Sequence, residues 1–337
     1  MSNLATKFSA LLCALACAAG AHAAEVKHDL YLSVLMSGGG QVMGGRPPAK
    51  SGIYRSTDRA TAEHVGFGHI RIFNVAPDPA SPAGIYIAAL DGVIHSPDRG
   101  ATWRILTGWN MTEVKGLALD PNAPDHIYAG LPDGIGVSRD RGKTWARMNA
   151  GIRRSFTQTI TVDRTQAGRV LAGTEQGIYL TEDGAQTWRL VLPTTEVAYD
   201  VRQSPHDPKI FFAVTATSGA LWSADAGRTW QTVAGIPKDR TLHNGVFDPR
   251  DAKRLALCGW EAGVQVSEDG GRTWTDRTAG LPSRKIWSIA ADPDFPGRLY
   301  ASPYQSAVYV SDDFGRAWKP AYFEKATVFN FSFVPRP

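Results

Sequence analysis

The chain has 337 residues, of which 43% are hydrophobic and 20% are charged, and its formal net charge is +4. This composition is that of a globular protein rather than a disordered one. So small a charge is not a nucleic-acid-binding signature, and no apolar run after the N-terminal segment approaches the roughly twenty residues that span a bilayer. We therefore expect no nucleic-acid partner and no integral membrane segment.

The N-terminal segment has the features of a signal peptide. A single lysine precedes an apolar stretch over residues 8–19, and Ala21 and Ala23 place small side chains at the two positions that a signal peptidase reads. The sequence therefore predicts a signal peptide over residues 1–23. The mature protein, residues 24–337, is expected to be exported, either to the periplasm or to the exterior.

Cysteine usage limits covalent cross-links. Cys13 and Cys17 lie in the predicted signal peptide, so Cys258 alone remains and no intramolecular disulfide is possible. A lipoprotein would use Cys17 as its lipidated residue, but the residues before it fit that pattern poorly. A mature chain of about 300 residues can be stable on its core alone, because roughly three quarters of the unfolded surface is buried at that size.

The chain consists of repeated structural units of about 40 residues, each marked by the sequence pattern described in the next paragraph. The two ends of the chain are predicted to share one such unit. The first unit, from Tyr31 to about Phe67, lacks a strand that ends at an Asp-Pro pair, and residues 332–337 match residues 74–79 in layout. The C-terminal strand should therefore complete the first unit and leave no open edge. Residues 37–50, rich in glycine and proline, are expected to form a long flexible loop inside this unit.

One eight-residue pattern, Ser-x-Asp-x-Gly-x-Thr-Trp, recurs along the chain, and we call it the Asp box. Four copies keep every named residue, the copies at Thr181 and Ser311 carry one or two conservative changes, and the copy at Ser56 keeps only the opening. The copies begin at positions 56, 96, 138, 181, 223, 267 and 311, which are 40 to 44 residues apart. That period is typical of a four-stranded propeller blade. The sequence thus predicts an all-β fold, a single seven-bladed β-propeller of four-stranded blades.

Each repeat is predicted to contain four strands in the same order. A first strand ends near an Asp-Pro pair, where proline has no N–H for a ladder, and a second strand follows. A glycine-rich turn leads to a third strand, and the Asp box is expected to be a structural turn before the fourth. In that turn the glycine accommodates a positive φ, the aspartate accepts N–H groups and the tryptophan packs between strands. The box aspartates are Asp98, Asp140, Asp183, Asp225, Asp269 and Asp313.

The Asp boxes resemble those of the BNR or Asp-box superfamily, and the resemblance covers essentially the whole mature chain. That superfamily includes sialidases, xyloglucan-type glycoside hydrolases, sortilin-like receptors and photosystem II stability and assembly factor-like proteins, so it implies a fold without fixing an activity. Seven near-regular boxes on one propeller look most like the assembly-factor-like group, whose members bind other proteins. The Arg-Ile-Pro element of sialidases is absent, and the xyloglucan hydrolases have two propellers where this chain has the length of one.

One face of the ring is predicted to carry the site. The first strands of a propeller begin at the mouth of its central channel, and residues at those positions here differ from blade to blade. A cluster of cations with an exposed tryptophan favours docking of an acidic protein segment or a carboxylate ligand, because guanidinium pairs with carboxylates in a bidentate manner. The predicted binding residues are Arg71, Lys115, Arg202, His243, Trp287 and Asn330. Further cations in the preceding turns are Arg153, Arg154, Arg240, Arg284 and Lys285.

A glycan-active or glycan-binding propeller is the alternative function. Glycoside hydrolysis needs two carboxyl groups roughly 5 to 10 Å apart, one of them with a raised pKa. A sialidase-like variant would instead use a tyrosine nucleophile, with Arg71 and Arg202 on the acid group of the substrate. Trp260 and Trp287 would then contact the sugar. The candidate catalytic residues are Glu175, Asp200, Glu261 and Tyr304.

No cofactor or metal ion is expected. The histidines are scattered singly without the spacing of metal ligands, and the sequence has no phosphate-binding loop, no Gly-x-Ser-x-Gly elbow and no zinc-protease helix. The preferred hypothesis is therefore an exported, non-enzymatic propeller that binds an exported or envelope protein. Its role would be that of an assembly, maturation or scaffold factor.

Overall fold

The structure, a computed structural model, describes residues 25–37, 50–68, 71–153 and 156–337. Within these ranges every helix or strand assigned is a β-strand, and the 27 strands are numbered β1 to β27 in chain order. They form five four-stranded sheets and one seven-stranded sheet. The predicted signal peptide and residues 38–49 of the predicted loop lie outside the described residues.

Five blades follow one plan, in which four consecutive strands pair antiparallel in chain order. Blade 2 contains β4 (Ile72–Pro77), β5 (Ile85–Ala89), β6 (Gly92–Ser96) and β7 (Arg104–Ile105). Blade 3 contains β8 (Gly116–Leu119), β9 (Ile127–Leu131), β10 (Gly134–Ser138) and β11 (Ala146–Arg147). Blade 4 contains β12 (Thr157–Val162), β13 (Val170–Thr174), β14 (Gly177–Thr181) and β15 (Arg189–Pro193). Blade 5 contains β16 (Ala198–Gln203), β17 (Phe211–Thr215), β18 (Ala220–Ser223) and β19 (Gln231–Thr232). Blade 6 contains β20 (Leu242–Phe247), β21 (Leu255–Gly259), β22 (Gly263–Ser267) and β23 (Thr275–Asp276).

Blades 1 and 7 share the seven-stranded sheet. Its strands are β1 (His28–Met36), β2 (Gly52–Ser56), β3 (Glu63–Gly66), β24 (Ile286–Ala291), β25 (Leu299–Pro303), β26 (Ser306–Ser311) and β27 (Lys319–Pro335). The first part of β27 pairs with β26 in blade 7, and its last part pairs with β1 in blade 1. The C-terminal strand therefore completes blade 1 and closes the ring. The predicted seven-bladed propeller is confirmed.

The core lies between the blades, because each sheet is covered on both faces by its neighbours. Every residue of the second strand is buried in blades 2 to 7, as the burial of β5, β9, β13, β17, β21 and β25 shows. These strands are continuous apolar runs rather than alternating ones for that reason. The two-residue fourth strands β7, β11, β19 and β23 are exposed, so they form the outer edge of the ring.

The Asp box forms the turn between the third and fourth strands. In blade 2, Asp98 accepts the N–H of Thr102 at 2.7 Å and its hydroxyl at 2.6 Å. The Ser96 hydroxyl donates to Asp98 at 2.8 Å and accepts the N–H of Gly100 at 2.7 Å. Gly100 has a φ of 99°, which disfavours any residue with a Cβ. The Thr hydroxyl makes the same bond to the box aspartate at Asp140, Asp183, Asp225 and Asp269.

Four of the six box tryptophans donate their indole N–H to the preceding blade. The indole N–H of Trp103 in blade 2 donates to the carbonyl of Val65 in blade 1 at 2.9 Å. Trp188 of blade 4 donates in the same way to Met148 of blade 3, also at 2.9 Å. These four indoles therefore cover apolar surface and satisfy their own N–H across an interface between blades, whereas the other two donate to a glycine carbonyl of their own box.

A buried acidic cluster holds the junction of blades 1 and 7. Asp294 accepts the backbone N–H groups of Lys27 and His28, both at 2.9 Å, and lies 2.8 Å from the His28 ring nitrogen Nδ1. Arg59 of blade 1, whose side chain is 2% exposed, reaches Asp292 at 2.8 Å and Asp294 at 3.1 Å. Burial alone would raise the pKa of Asp294, but hydrogen bonds from His28 outweigh it and hold that pKa below its usual value.

We expect Asp294→Ala to lower the free energy of unfolding at pH 7 by about 3 kcal/mol, because it leaves the buried Arg59 and two partly buried N–H groups short of a partner. The contribution of Asp294 is fully present above the unfolded aspartate pKa of about 3.9 and is lost as the pH falls through the lowered folded pKa. Denaturant titrations at pH 7 and pH 3 should therefore show a smaller deficit at pH 3. The control is Asp133→Ala, which removes an exposed ion pair with Arg147 and should cost less than about 1 kcal/mol. Equal losses in both variants would contradict the role of the cluster.

The Asp box of blade 7 allows a test of how much the hydrogen bond from the threonine hydroxyl to the box aspartate stabilises the fold. It has Ala317 where the fuller boxes have threonine, and Asp313 there accepts the N–H of Ala317 at 2.9 Å without the hydroxyl bond. Ala317→Thr should supply that bond and raise the midpoint of thermal unfolding by about 1 °C. Ala317→Val has a similar shape without the hydroxyl and should give no such gain. Circular dichroism melts of both variants decide the point, and an equal rise in the two would exclude the hydroxyl as the cause.

Candidate functional site

Six of the seven inner strands carry a β-bulge near the channel mouth. In blade 7, for example, Ile286 pairs with Pro303 and Ser288 with Ser302, so Trp287 has no partner on β25. A bulge re-aims the unpaired residue, and in each of the six blades that residue lines the central cavity. In blade 3, Lys115 occupies the equivalent place directly before β8. We call the seven residues the mouth ring: Phe73, Lys115, Gln158, Tyr199, His243, Trp287 and Phe329.

The mouth ring surrounds a cavity of about 690 Å³. Two residues from turns between second and third strands, Trp260 of blade 6 and Tyr304 of blade 7, also line it. The structure brings together all six binding residues that the sequence predicts, since each of them lines this cavity: Arg71, Lys115, Arg202, His243, Trp287 and Asn330.

Five members of the mouth ring form a continuous aromatic arc, which comprises Tyr199, His243, Trp287, Phe329 and Phe73. Successive ring centroids lie 5.6, 4.7, 5.2 and 5.9 Å apart. The rings are half-buried, so part of each remains open to the cavity. Trp260 and Tyr304, with centroids 5.2 Å apart, pack against the arc and extend it. The cavity therefore has an apolar wall over blades 5, 6, 7, 1 and 2.

A pair of cations follows the arc where it ends. The Lys115 ammonium lies 4.3 Å from the centroid of the Phe73 ring and 3.9 Å from a Glu113 oxygen. Burial lowers the pKa of Lys115, the Glu113 carboxylate opposes this, and the positive charge of Arg71 adds to it. Arg71 is exposed and has no ion pair within 4.0 Å among the described residues. We call Arg71 and Lys115 the cation pair.

Four of the remaining cations of this face are held by neighbouring groups. Arg202 donates to Asp200 at 2.8 Å, so its charge is compensated inside the cavity. Lys285 lies 3.7 Å from Glu261 and 5.0 Å from the ring centroid of Trp260. Arg240 and Arg284 donate to backbone carbonyls, and Arg284 also pairs with Asp276. Arg153 is exposed away from the cavity lining, and Arg154 lies outside the described residues.

The four candidate catalytic residues lie in different places. Asp200 and Tyr304 line the cavity. Glu175, in the turn between β13 and β14, and Glu261, in the turn between β21 and β22, are not part of the lining. Asp200 is therefore the one candidate carboxylate of three that lines the cavity. It already accepts three hydrogen bonds. Its donors are Arg202 Nε at 2.8 Å, Asn244 Nδ2 at 3.2 Å and Gly245 N at 3.3 Å.

His243 occupies the centre of the arc. Burial among the aromatic rings lowers its pKa to about 4, against a weaker opposing effect of its hydrogen bond to the Ile286 carbonyl at 3.3 Å. The ring is therefore neutral at pH 7, and the arc carries no charge there.

Other kinds of site find no support in the described ranges. No group of three or more His, Cys, Asp or Glu side chains in them could hold a metal ion. No helix in the same ranges is long and apolar enough to cross a membrane. Cys258 is buried and free of any disulfide.

Sequence reasoning missed three members of the arc: Phe73, Tyr199 and Phe329. A signal for two of them exists, because the ring residue of blades 2 to 7 stands five positions before the residue that directly follows its first strand. Phe73 precedes Asp78 by that interval, and Tyr199 precedes Ser204. Phe329 follows no Asp-Pro landmark and could be placed only from the register of β27.

Comparisons with known proteins give similarity in fold alone. No family model matches the chain, and no curated protein matches it. A GH74 xyloglucanase from Xanthomonas campestris is similar over 93% of this chain and 55% of its own, with 17% identity and a TM-score of 0.66. YCF48 bound to D1 peptide is similar over 79% of this chain and 93% of its own, with 17% identity and a TM-score of 0.60. YCF48 from Cyanidioschyzon merolae is similar over 80% of this chain and 96% of its own, with 15% identity and a TM-score of 0.61.

These similar structures are β-propellers, in agreement with the fold described above. The chain spans about half the length of the xyloglucanase and most of the length of YCF48.

We expect Trp287→Ala to raise the pKa of His243 from about 4 toward the ordinary value of about 6.5, because it admits water to the ring. In the parent, the neutral ring contributes stability that is fully present above about pH 6.5 and declines as the pH falls toward 4. Nuclear magnetic resonance titration of the histidine ring measures the change. The control is Trp109→Ala, which removes a tryptophan that is 92% exposed outside the cavity. A His243 pKa that stays near 4 in Trp287→Ala would contradict the assigned cause.

Proposed function

We propose that this chain is an exported, non-enzymatic protein that binds an acidic segment of another exported or envelope protein at its channel mouth. In this role it would serve as an assembly, maturation or scaffold factor. The cation pair carries the proposal. Arg71 and Lys115 stand together at the cavity, Arg71 has no acidic partner among the described residues, and Glu113 lies at the limit of ion-pair distance from Lys115.

Two adjacent cations repel one another, and the positive charge of Arg71 lowers the pKa of Lys115. A carboxylate placed between them would remove that repulsion. Its two oxygens match the planar donors of a guanidinium, while the Lys115 ammonium supplies a point charge. The half-buried position of Lys115 reduces screening by water, so the attraction there is stronger than for a fully exposed lysine.

Two further observations support binding rather than hydrolysis. Asp200 already accepts three hydrogen bonds, and the other two candidate carboxylates lie away from the cavity lining. One propeller of similar fold, YCF48, is known bound to D1 peptide. That protein binds a peptide, and at 17% identity the likeness extends to this chain only as part of the proposal.

A glycan ligand is the second candidate, and the aromatic wall is the observation that favours it. Tryptophan and tyrosine faces stack on sugar rings, and Trp260, Trp287 and Tyr304 all line the cavity. The similar xyloglucanase acts on a polysaccharide by its name. Competition between a xyloglucan oligosaccharide and an acidic peptide for the cavity distinguishes the two kinds of ligand.

The proposal predicts that Arg71→Glu combined with Lys115→Glu abolishes partner binding. Tagged parent and variant are used to capture proteins from an envelope extract at low salt. The captured proteins should fall at least about tenfold in the double variant, because two attractive charges become repulsive.

The matched control is Lys209→Glu combined with Lys253→Glu. Both lysines are exposed on turns between first and second strands, at the opposite face, so the net charge changes equally. This variant should capture the same proteins as the parent. Identical capture by all three proteins would contradict docking at the cation pair.

A further inference from the structure

We propose that the aromatic arc binds an aromatic side chain of the same segment whose carboxylates bind the cation pair. The recognised sequence would therefore carry an aromatic residue close to acidic ones. This inference rests on the proposed function and adds a second point of recognition to it. Three features of the cavity lead to it. The arc is continuous with the cation pair, its rings are incompletely buried, and several polar atoms beside it already have hydrogen-bond partners.

The arc and the cation pair form one continuous surface. Ring contacts run without a gap from Tyr199 through His243, Trp287 and Phe329 to Phe73, and the Lys115 ammonium lies 4.3 Å from the Phe73 centroid. A bound segment that places a carboxylate on Lys115 thus has aromatic surface directly beside it. Residues one or two positions apart in the segment can reach both.

The exposed parts of the arc are unfavourable in water. Trp287, Phe329 and Phe73 are half-buried by one another, and their remaining surface faces the cavity. Tyr304 is 40% exposed at the same wall. An incoming aromatic ring would cover this surface and could add edge-to-face contacts of the kind that the arc already makes with Trp287 and Phe329 at 89°.

Several polar atoms beside the arc already have hydrogen-bond partners, which favours a ring without hydroxyls over a sugar. Asn244 donates to Asp200 and accepts the N–H of Ile289 at 2.7 Å. The Asn330 side-chain oxygen accepts the Ser332 hydroxyl. His243 is neutral at pH 7 because its pKa is lowered to about 4. A sugar bound at the wall would find these atoms occupied, whereas a phenylalanine side chain has no hydroxyl to satisfy.

The test uses two synthetic peptides of the same glutamate-rich sequence, one with a central phenylalanine and one with alanine in its place. Binding to the mature protein is measured by fluorescence anisotropy at low salt. The parent should bind the phenylalanine peptide about tenfold more tightly than the alanine peptide. Tyr304→Ala and Trp287→Ala should each reduce that preference to less than about twofold.

Trp109→Ala is the matched control, since it removes an exposed tryptophan outside the cavity lining, and it should keep the full preference. Tyr304→Ala alters an exposed turn and keeps the test valid if Trp287→Ala does not fold. Equal binding of both peptides to the parent would overturn the inference and leave the proposed function standing.

Absence of binding by either peptide would overturn the proposed function as well. Binding of a xyloglucan oligosaccharide that competes with the phenylalanine peptide and is lost in Trp287→Ala would identify the arc as a glycan platform and overturn the inference.

Discussion

The ring depends on the pairing of β27 with two strands at once. A single blade cannot bury both of its faces, so each blade needs a neighbour on either side, and the last interface forms only when β27 joins β26 to β1. The buried cluster of Arg59, Asp292 and Asp294 reinforces that junction. Charged groups are kept at this interface because each of them finds an opposite charge and backbone partners there.

The bulges allow residues of the site to vary without a change in the pairing of the strands that form the fold. Around a common axis, the inner strands pack against one another, and regular pairing would fix every side chain in the ladder or the core. In six blades one unpaired residue escapes this constraint and turns into the cavity, and in blade 3 Lys115 does so from its place directly before β8. Its identity is then free to vary, which is why the mouth ring contains aromatic rings, a lysine and a glutamine on blades that are otherwise alike.

The fold was predictable from the sequence because short local sequence patterns, repeated once in each blade, determine its turns and strand ends. The Asp boxes, the strand-ending aspartates and the incomplete first unit sufficed for seven blades and their closure. The site was predictable only in part. Arg71 and Lys115 followed from their position at strand starts, but the pairing of Arg202 with Asp200 and of Lys285 with Glu261 depends on side-chain geometry. The aromatic arc was predicted only at His243 and Trp287, because the contacts that join its rings across blades are not contained in a linear pattern.

The shared strand also sets an order of events in the life of the chain. Asp29 at the start of β1 bonds to Arg336, 307 positions later. As the polypeptide leaves the ribosome, β1 therefore presents an unpaired edge until nearly all of the remaining sequence has been made. The entropic cost of joining such distant ends grows only slowly with the length of chain between them. The time before the two ends can pair is nevertheless long, because β27 must first be synthesised. Throughout that interval the nascent chain presents a surface that chaperones can bind, and it is also at risk of misassembly. Both end when β27 pairs with β1 and closes the ring.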